Sequence, residues 1–203
     1  MKETEWDKKL KIQTTGHDDY RADQYHFPYE PTPYSVLERL VESGYINAKN
    51  ILVDYGCGKG RVGFYLNYII GCNTIGIECD KRICDVAWQN QKTYAGKKNV
   101  EILCMNAEAY EIENADCFYF FNPFSIEILR SVIGQIMTSY YEKPRQIRLF
   151  FYYPNDEYVA YLMSAQDLTY IDEIDCRDLF DGNNERERIM VFEVSFCKQM
   201  KND

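Results

Sequence analysis

From about residue 50 onward, apolar residues fall into two alternating rhythms. Short, nearly continuous apolar runs mark buried strands, and apolar residues three and four apart mark helices. Asn50–Asp54 reads as a strand and Arg61–Ile70 as a helix, then Thr74–Glu78 as a strand and Lys81–Tyr94 as a helix. Val100–Cys104 is a third strand followed by a short turn or helix, and Cys117–Phe121 is a fourth. Ile126, Leu129, Ile133, Ile136 and Tyr140 then step along one face of an amphipathic helix. Gln146–Tyr153 is a fifth strand and Tyr158–Ser164 a helix. Leu168–Ile174 and Ile189–Phe196 are two more strands, joined by a loop containing Asp181-Gly-Asn-Asn184.

Regular alternation of strand and helix predicts a parallel sheet covered on both faces. The last two strands have no helix between them, so they should pair as a hairpin, one strand running against the rest. The expected fold is α/β, a doubly wound, mostly parallel seven-stranded sheet with a C-terminal antiparallel hairpin. Ahead of it, residues 1–27 are polar and irregular and read as a flexible N-terminal arm. Residues 28–203 are expected to form a single domain. Three prolines hold Tyr25-His-Phe-Pro-Tyr-Glu-Pro-Thr-Pro-Tyr34 extended. Thr32 and Pro33 fit the cap and first turn of a helix whose apolar face is Leu37, Leu40 and Val41 and which Gly44 ends.

Composition narrows the classes. A length of 203 residues with 46% hydrophobic content suits one globular unit. No run of apolar residues is long enough to span a membrane, and the charged start lacks a signal core, so a cytoplasmic location is the expectation. The eight cysteines contain no Cys-x-x-Cys pair and mostly sit in apolar runs, so they are expected to be reduced and buried. With His17 and His26 the only histidines, no metal site is expected. A net charge of −9 without a Lys/Arg stripe argues against bulk nucleic acid as a partner. The sequence says nothing of oligomeric state.

Chemistry concentrates after the first strand of the repeat, where Ile51-Leu-Val-Asp54 runs into Gly56, Gly58 and Gly60. Glycine tolerates positive φ and lets bare backbone approach a ligand. The free N–H groups of the helix starting at Arg61 would face the same place. A nicotinamide site wants G-x-G-x-x-G, whereas the spacing here is G-x-G-x-G, and the P-loop pattern would need glycine where Val53 stands. The second strand ends in Glu78, the third runs into Cys104-Met-Asn-Ala-Glu108, and the fourth into Asn122-Pro-Phe124.

Together these residues resemble the class I, seven-stranded methyltransferases that use S-adenosylmethionine, over roughly residues 32–197. The resemblance implies a cofactor site made of Asp54, Gly56, Cys57, Gly58, Gly60, Glu78, Asn106, Ala107 and Asn122. Glu78 would take the ribose hydroxyls, and Asn106 the adenine amine, with Glu108 a further candidate. Asn122-Pro-Phe124 is similar to the Asn/Asp-Pro-Pro-Tyr/Phe loop of amine methyltransferases, one proline short. On that likeness Asn122 orients the methyl acceptor and Phe124 packs on it; read by itself, Asn-Pro is also an ordinary turn. Phe27-Pro-Tyr-Glu-Pro-Thr-Pro-Tyr34 resembles a segment that closes over the cofactor's methionine end in some protein-lysine methyltransferases, with Tyr29 and Thr32 as contacts. Tyr152 and Tyr153 could line the acceptor pocket, although alternate strand residues face opposite ways. Lys59 and Arg61 read as surface residues, and Cys57 as a residue chosen for size.

The implied activity is methyl transfer to an amine or similar nucleophile on a protein or small molecule. A non-catalytic module binding S-adenosylmethionine or S-adenosylhomocysteine remains the alternative. A nicotinamide-dependent oxidoreductase is a second rival, which the glycine spacing disfavours.

Overall fold

The computed structural model describes residues 2–16, 29–96 and 99–195. Seven strands form one sheet in the order β3-β2-β1-β4-β5-β7-β6. They are β1 (Ile51–Tyr55), β2 (Asn73–Glu78), β3 (Val100–Cys104), β4 (Cys117–Phe120), β5 (Arg148–Tyr152), β6 (Leu168–Asp175) and β7 (Arg188–Val194). β1 to β5 run parallel. β7 lies antiparallel between β5 and β6. This is the doubly wound sheet with one reversed strand that the sequence predicts.

The helices are α1 (Glu3–Leu10), α2 (Tyr34–Glu42), α3 (Arg61–Ile70), α4 (Lys81–Thr93), α5 (Ile126–Glu142) and α6 (Asp156–Ser164). Successive strand side chains point to opposite faces. Leu52, Tyr119, Phe150, Tyr152 and Val191 therefore pack under α2 and α3, against Leu37, Leu40, Phe64 and Leu66. Val53, Tyr55, Phe118, Phe120 and Phe151 pack on the other face against Leu129, Val132 and Ile136 of α5 and Leu162 of α6. Burial of both faces explains why these strands read as continuous apolar runs.

Three expectations need correction. The start of the chain is not a free arm over residues 3–12. Trp6 is 6% exposed, and Leu10 and Ile12 are buried in the same core. The Trp6 ring meets Tyr65 of α3 edge-on at 4.9 Å, and the Leu10 carbonyl accepts from the Ala95 N–H at 2.9 Å. Trp6 and Leu10 share one narrow face, four residues apart, hidden in the sequence among Glu and Lys. The part of that expectation falling on residues 17–27, the two histidines, Phe196 and Cys197 lie outside the described residues.

Second, Thr32 does not cap α2; Pro33 takes that position, because the Thr32 hydroxyl is bonded 3.1 Å from the Tyr119 hydroxyl under the sheet face. Third, α6 starts before Tyr158, since the Asn155 carboxamide oxygen accepts from the Tyr158 N–H at 2.8 Å. Among the described cysteines Cys79 is exposed rather than buried, and all are free thiols. No helix of the described residues is long and apolar enough to cross a membrane.

Candidate active site

The order of the sheet reverses at β1, whose neighbours are β2 on one side and β4 on the other. Crevices at the carboxyl ends of strands form at such a switch point. Asp54 stands there, level with Gly76 of β2 and Tyr119 of β4. The chain then turns sharply: the Gly56 and Cys57 N–H groups both donate to the Ile77 carbonyl at 2.9 Å, and Gly60 N–H donates back to the Cys57 carbonyl at 2.8 Å.

Two of the glycines are required by their surroundings. Gly56 has φ +72°, and a Cβ there would overlap the Pro123 side chain. Gly58 has φ +55°, and a Cβ there would overlap the ring of Tyr29. The turn is thus walled by the Asn122-Pro-Phe124 segment on one side and by Tyr29 on another. Cys57 is buried, and its sulfur lies close enough to Gly76 to exclude any Cβ there. Burial holds its thiol well above the ordinary range, so it fills space and is no nucleophile.

Glu78 spans the turn from β2. One of its oxygens accepts from the Gly58 N–H at 3.0 Å and the other from the Asp80 N–H at 2.8 Å. Burial raises its carboxyl above the usual range against the pull of those bonds. Each oxygen keeps lone-pair capacity for a further donor. Asp54 is 3% exposed, and its Oδ2 has no hydrogen-bond partner among the described residues. Burial first, and the nearby Glu78 charge second, push its carboxyl up to about 8. A buried carboxylate oxygen left unpaired is expensive. Its position beside a glycine turn fits a ligand that brings a donor or a positive charge.

The remaining expected site residues divide. Asn106 is exposed just past β3, where its Oδ1 accepts from the Glu108 N–H at 3.1 Å. Ala107 is buried beside it. Thr32 is buried and faces Tyr119 rather than open space. Tyr29 donates its hydroxyl proton to the Thr14 carbonyl at 2.5 Å, and burial raises its phenol pKa.

Asn122 and Phe124 are both engaged by other parts of the chain. Asn122 adopts φ +41°, and both ends of its amide are used within the protein. Nδ2 donates to the Tyr153 carbonyl at 2.6 Å, and Oδ1 accepts from the Asn155 N–H at 3.2 Å. Phe124 is buried in the core, its ring edge-on to Tyr55 and Phe120. Tyr152 is also core, its hydroxyl donating to Glu187 at 2.7 Å, while half-buried Tyr153 stands at the crevice end with its ring 6.3 Å from that of Phe121.

Sequence reasoning missed the role of Arg61. It is 3% exposed, pairs with Glu3, donates to the Thr14 hydroxyl at 2.7 Å and to the Thr32 carbonyl at 3.2 Å. A cation in the first turn of a helix opposes the helix dipole. That conflict, readable in the sequence, signals an acidic partner elsewhere in the chain.

No family model matches the chain. Over 88 residues it is 32% identical to a histone-lysine N-methyltransferase specific for lysine 79 of histone H3 from Dictyostelium discoideum; the match covers 43% of this chain and 5% of that protein. Over 37 residues it is 43% identical to a protein-lysine N-methyltransferase of Saccharolobus islandicus, covering 18% of this chain and 23% of the relative. The matched region is thus a small part of each curated relative. Among solved structures, an RNA methyltransferase from Salinibacter ruber in complex with S-adenosyl-L-homocysteine superposes with a TM-score of 0.52 at 20% identity, over 86% of this chain and 98% of that one. In its strand order and its reversed seventh strand, the chain has the α/β fold seen in solved structures of class I S-adenosylmethionine-dependent methyltransferases.

Proposed function

We propose that this chain binds S-adenosylmethionine in the crevice at the carboxyl end of β1 and transfers its methyl group to an amine or similar nucleophile. The observation that carries the reading is the buried Oδ2 of Asp54, without a partner among the described residues, beside the Gly56–Gly60 turn. When bound, the cofactor supplies a methyl group already activated on a sulfonium.

The chain's own residues supply binding, orientation and exclusion of water. Asp54, Gly56, Cys57, Gly58, Gly60, Glu78, Asn106 and Ala107 would hold the cofactor, with Tyr29 and Thr32 on the side of the segment that precedes α2. Glu78 keeps the turn closed through Gly58 and still offers lone pairs to ribose hydroxyls. Holding the acceptor nitrogen in line with the methyl can supply about 7–11 kcal/mol of the barrier. Asn122 contributes by shaping the acceptor side rather than by reaching for the nitrogen, since its amide ties two strand ends together. The two protein-lysine methyltransferases among the relatives support an amine on a protein as the acceptor.

Calorimetric titration with S-adenosylhomocysteine, set against NADH, tests the cofactor. Binding of the first and not the second is expected; the reverse refutes the reading. Radiolabelled methyl transfer into fractionated cell extract, with and without protease, tests the acceptor. Label that protease converts to small fragments is expected, and tight binding with no transfer to any fraction would make the chain a binding module.

A further inference from the structure

Asp7, in α1, is 7% exposed, yet its carboxylate accepts four hydrogen bonds. They come from the Thr14 N–H and hydroxyl, both at 2.7 Å, the Thr15 N–H at 3.2 Å and the Tyr34 hydroxyl at 2.6 Å. Thr14 has no exposed surface. Its hydroxyl donates to Asp7 while accepting from the Arg61 Nε at 2.7 Å, so one oxygen joins a buried anion to a buried cation. The carbonyl of the same residue accepts the Tyr29 hydroxyl, and the Tyr29 ring lies against Gly58. Lys59, on the same turn, donates to the Thr15 carbonyl at 3.2 Å and lies 4.6 Å from the centre of the Tyr29 ring.

We infer that Asp7 and Thr14 are positioning residues for the cofactor site, acting through Tyr29 on the glycine turn. The inference rests on the cofactor reading above and adds to it that α1 is part of the site. Three separate segments converge: α1 supplies Asp7, the stretch after it supplies Thr14, and the first residue of α3 supplies the Arg61 guanidinium. Arg61 follows Gly60 directly, so whatever fixes its side chain fixes one end of the turn. Thr14 fixes Tyr29, which covers the turn at Gly58. A hydroxyl at position 14 is needed for both charges to be satisfied; an isosteric methyl leaves each short of one bond.

The test compares Thr14→Val, which keeps the shape and loses the hydroxyl, with Thr14→Ser, which restores it. Tyr29→Phe and the double variant Thr14→Val with Tyr29→Phe complete a cycle. Calorimetry with S-adenosylhomocysteine should show Thr14→Val and Tyr29→Phe each weakening binding about tenfold or more. Thr14→Ser should stay within about twofold of the unaltered protein, and the double variant should bind no worse than Thr14→Val. Thr14→Val binding as tightly as the unaltered protein, or a double variant whose losses multiply, overturns the inference. Amide hydrogen exchange without ligand gives a second reading that does not depend on the cofactor. Thr14→Val should speed exchange at residues 56–60 while leaving the β4 and β5 amides slow, and Thr14→Ser should do neither. Uniform change across the sheet, or none at the turn, overturns the inference. If the unaltered protein binds no S-adenosylhomocysteine but the exchange result holds, the cofactor reading fails while the relay from Asp7 to the turn stands.

Discussion

The Asn122 amide donates to the Tyr153 carbonyl, and both residues sit in the left-handed region, at φ +41° and +51°. One follows β4 and the other follows β5, so a single side chain joins the ends of these two strands. Non-glycine residues in this region cost about 1–3 kcal/mol each and persist only when their surroundings hold them. Asn122→Ala should lose the two hydrogen bonds and keep the strain, while Asn122→Gly loses the bonds and relieves it. We therefore expect Asn122→Gly to melt higher than Asn122→Ala, by about 1 kcal/mol in stability. Both should lower methyl-transfer turnover while S-adenosylhomocysteine affinity stays within a few-fold, read by calorimetry and initial rates. Unchanged turnover would remove Asn122 from the acceptor side.

Gly56 and Gly44 both have φ +72°, but a Cβ at Gly56 would overlap Pro123 whereas nothing lies within 4 Å of one at Gly44. Replacement by alanine should cost about 1–2 kcal/mol at Gly44, the backbone penalty alone. At Gly56 a further ~1–3 kcal/mol of overpacking should appear. Urea denaturation of the two variants compares them directly. Equal losses would mean that Pro123 moves aside freely.

Asp54 gives the stability a pH dependence of defined sign. Its carboxyl stands near 8 when folded, against 3.8 as its ordinary value. Between those values the folded state holds a proton that the unfolded chain has lost, so stability falls as pH rises through this window. Asp54→Asn, neutral throughout, should flatten that slope and raise the thermal midpoint more at pH 8 than at pH 5. The same change should weaken binding of the cationic cofactor, which the ionised carboxylate favours. A slope unaltered in Asp54→Asn would assign the dependence to another group.

Trp6→Ala tests the packing of α1. Removing a buried tryptophan costs about 3–5 kcal/mol, whereas a change in a loose arm costs within about 0.5 kcal/mol. The midpoint of chemical denaturation separates these outcomes.

The strands were legible because two-sided burial forces continuous apolar runs, and the turn bridged by Glu78 because its glycines are local in sequence. What stayed hidden depended on long-range partners. Trp6 gains its meaning only against Tyr65 and Tyr34. Thr32 looked like a helix cap until Tyr119, far along the chain, claimed its hydroxyl. Phe124 looked exposed to a ligand because it follows a strand end, but Tyr55, Phe120 and the Tyr158 hydroxyl bond to its carbonyl draw it inward. Arg61 shows the opposite case, since its conflict with the helix dipole was visible and pointed to a partner that only folding could name.

The place of β7 between β5 and β6 has a consequence for how the protein assembles. β6 precedes β7 in the chain yet pairs with β7 alone. The far border of the sheet therefore depends on a pairing partner that lies later in the chain.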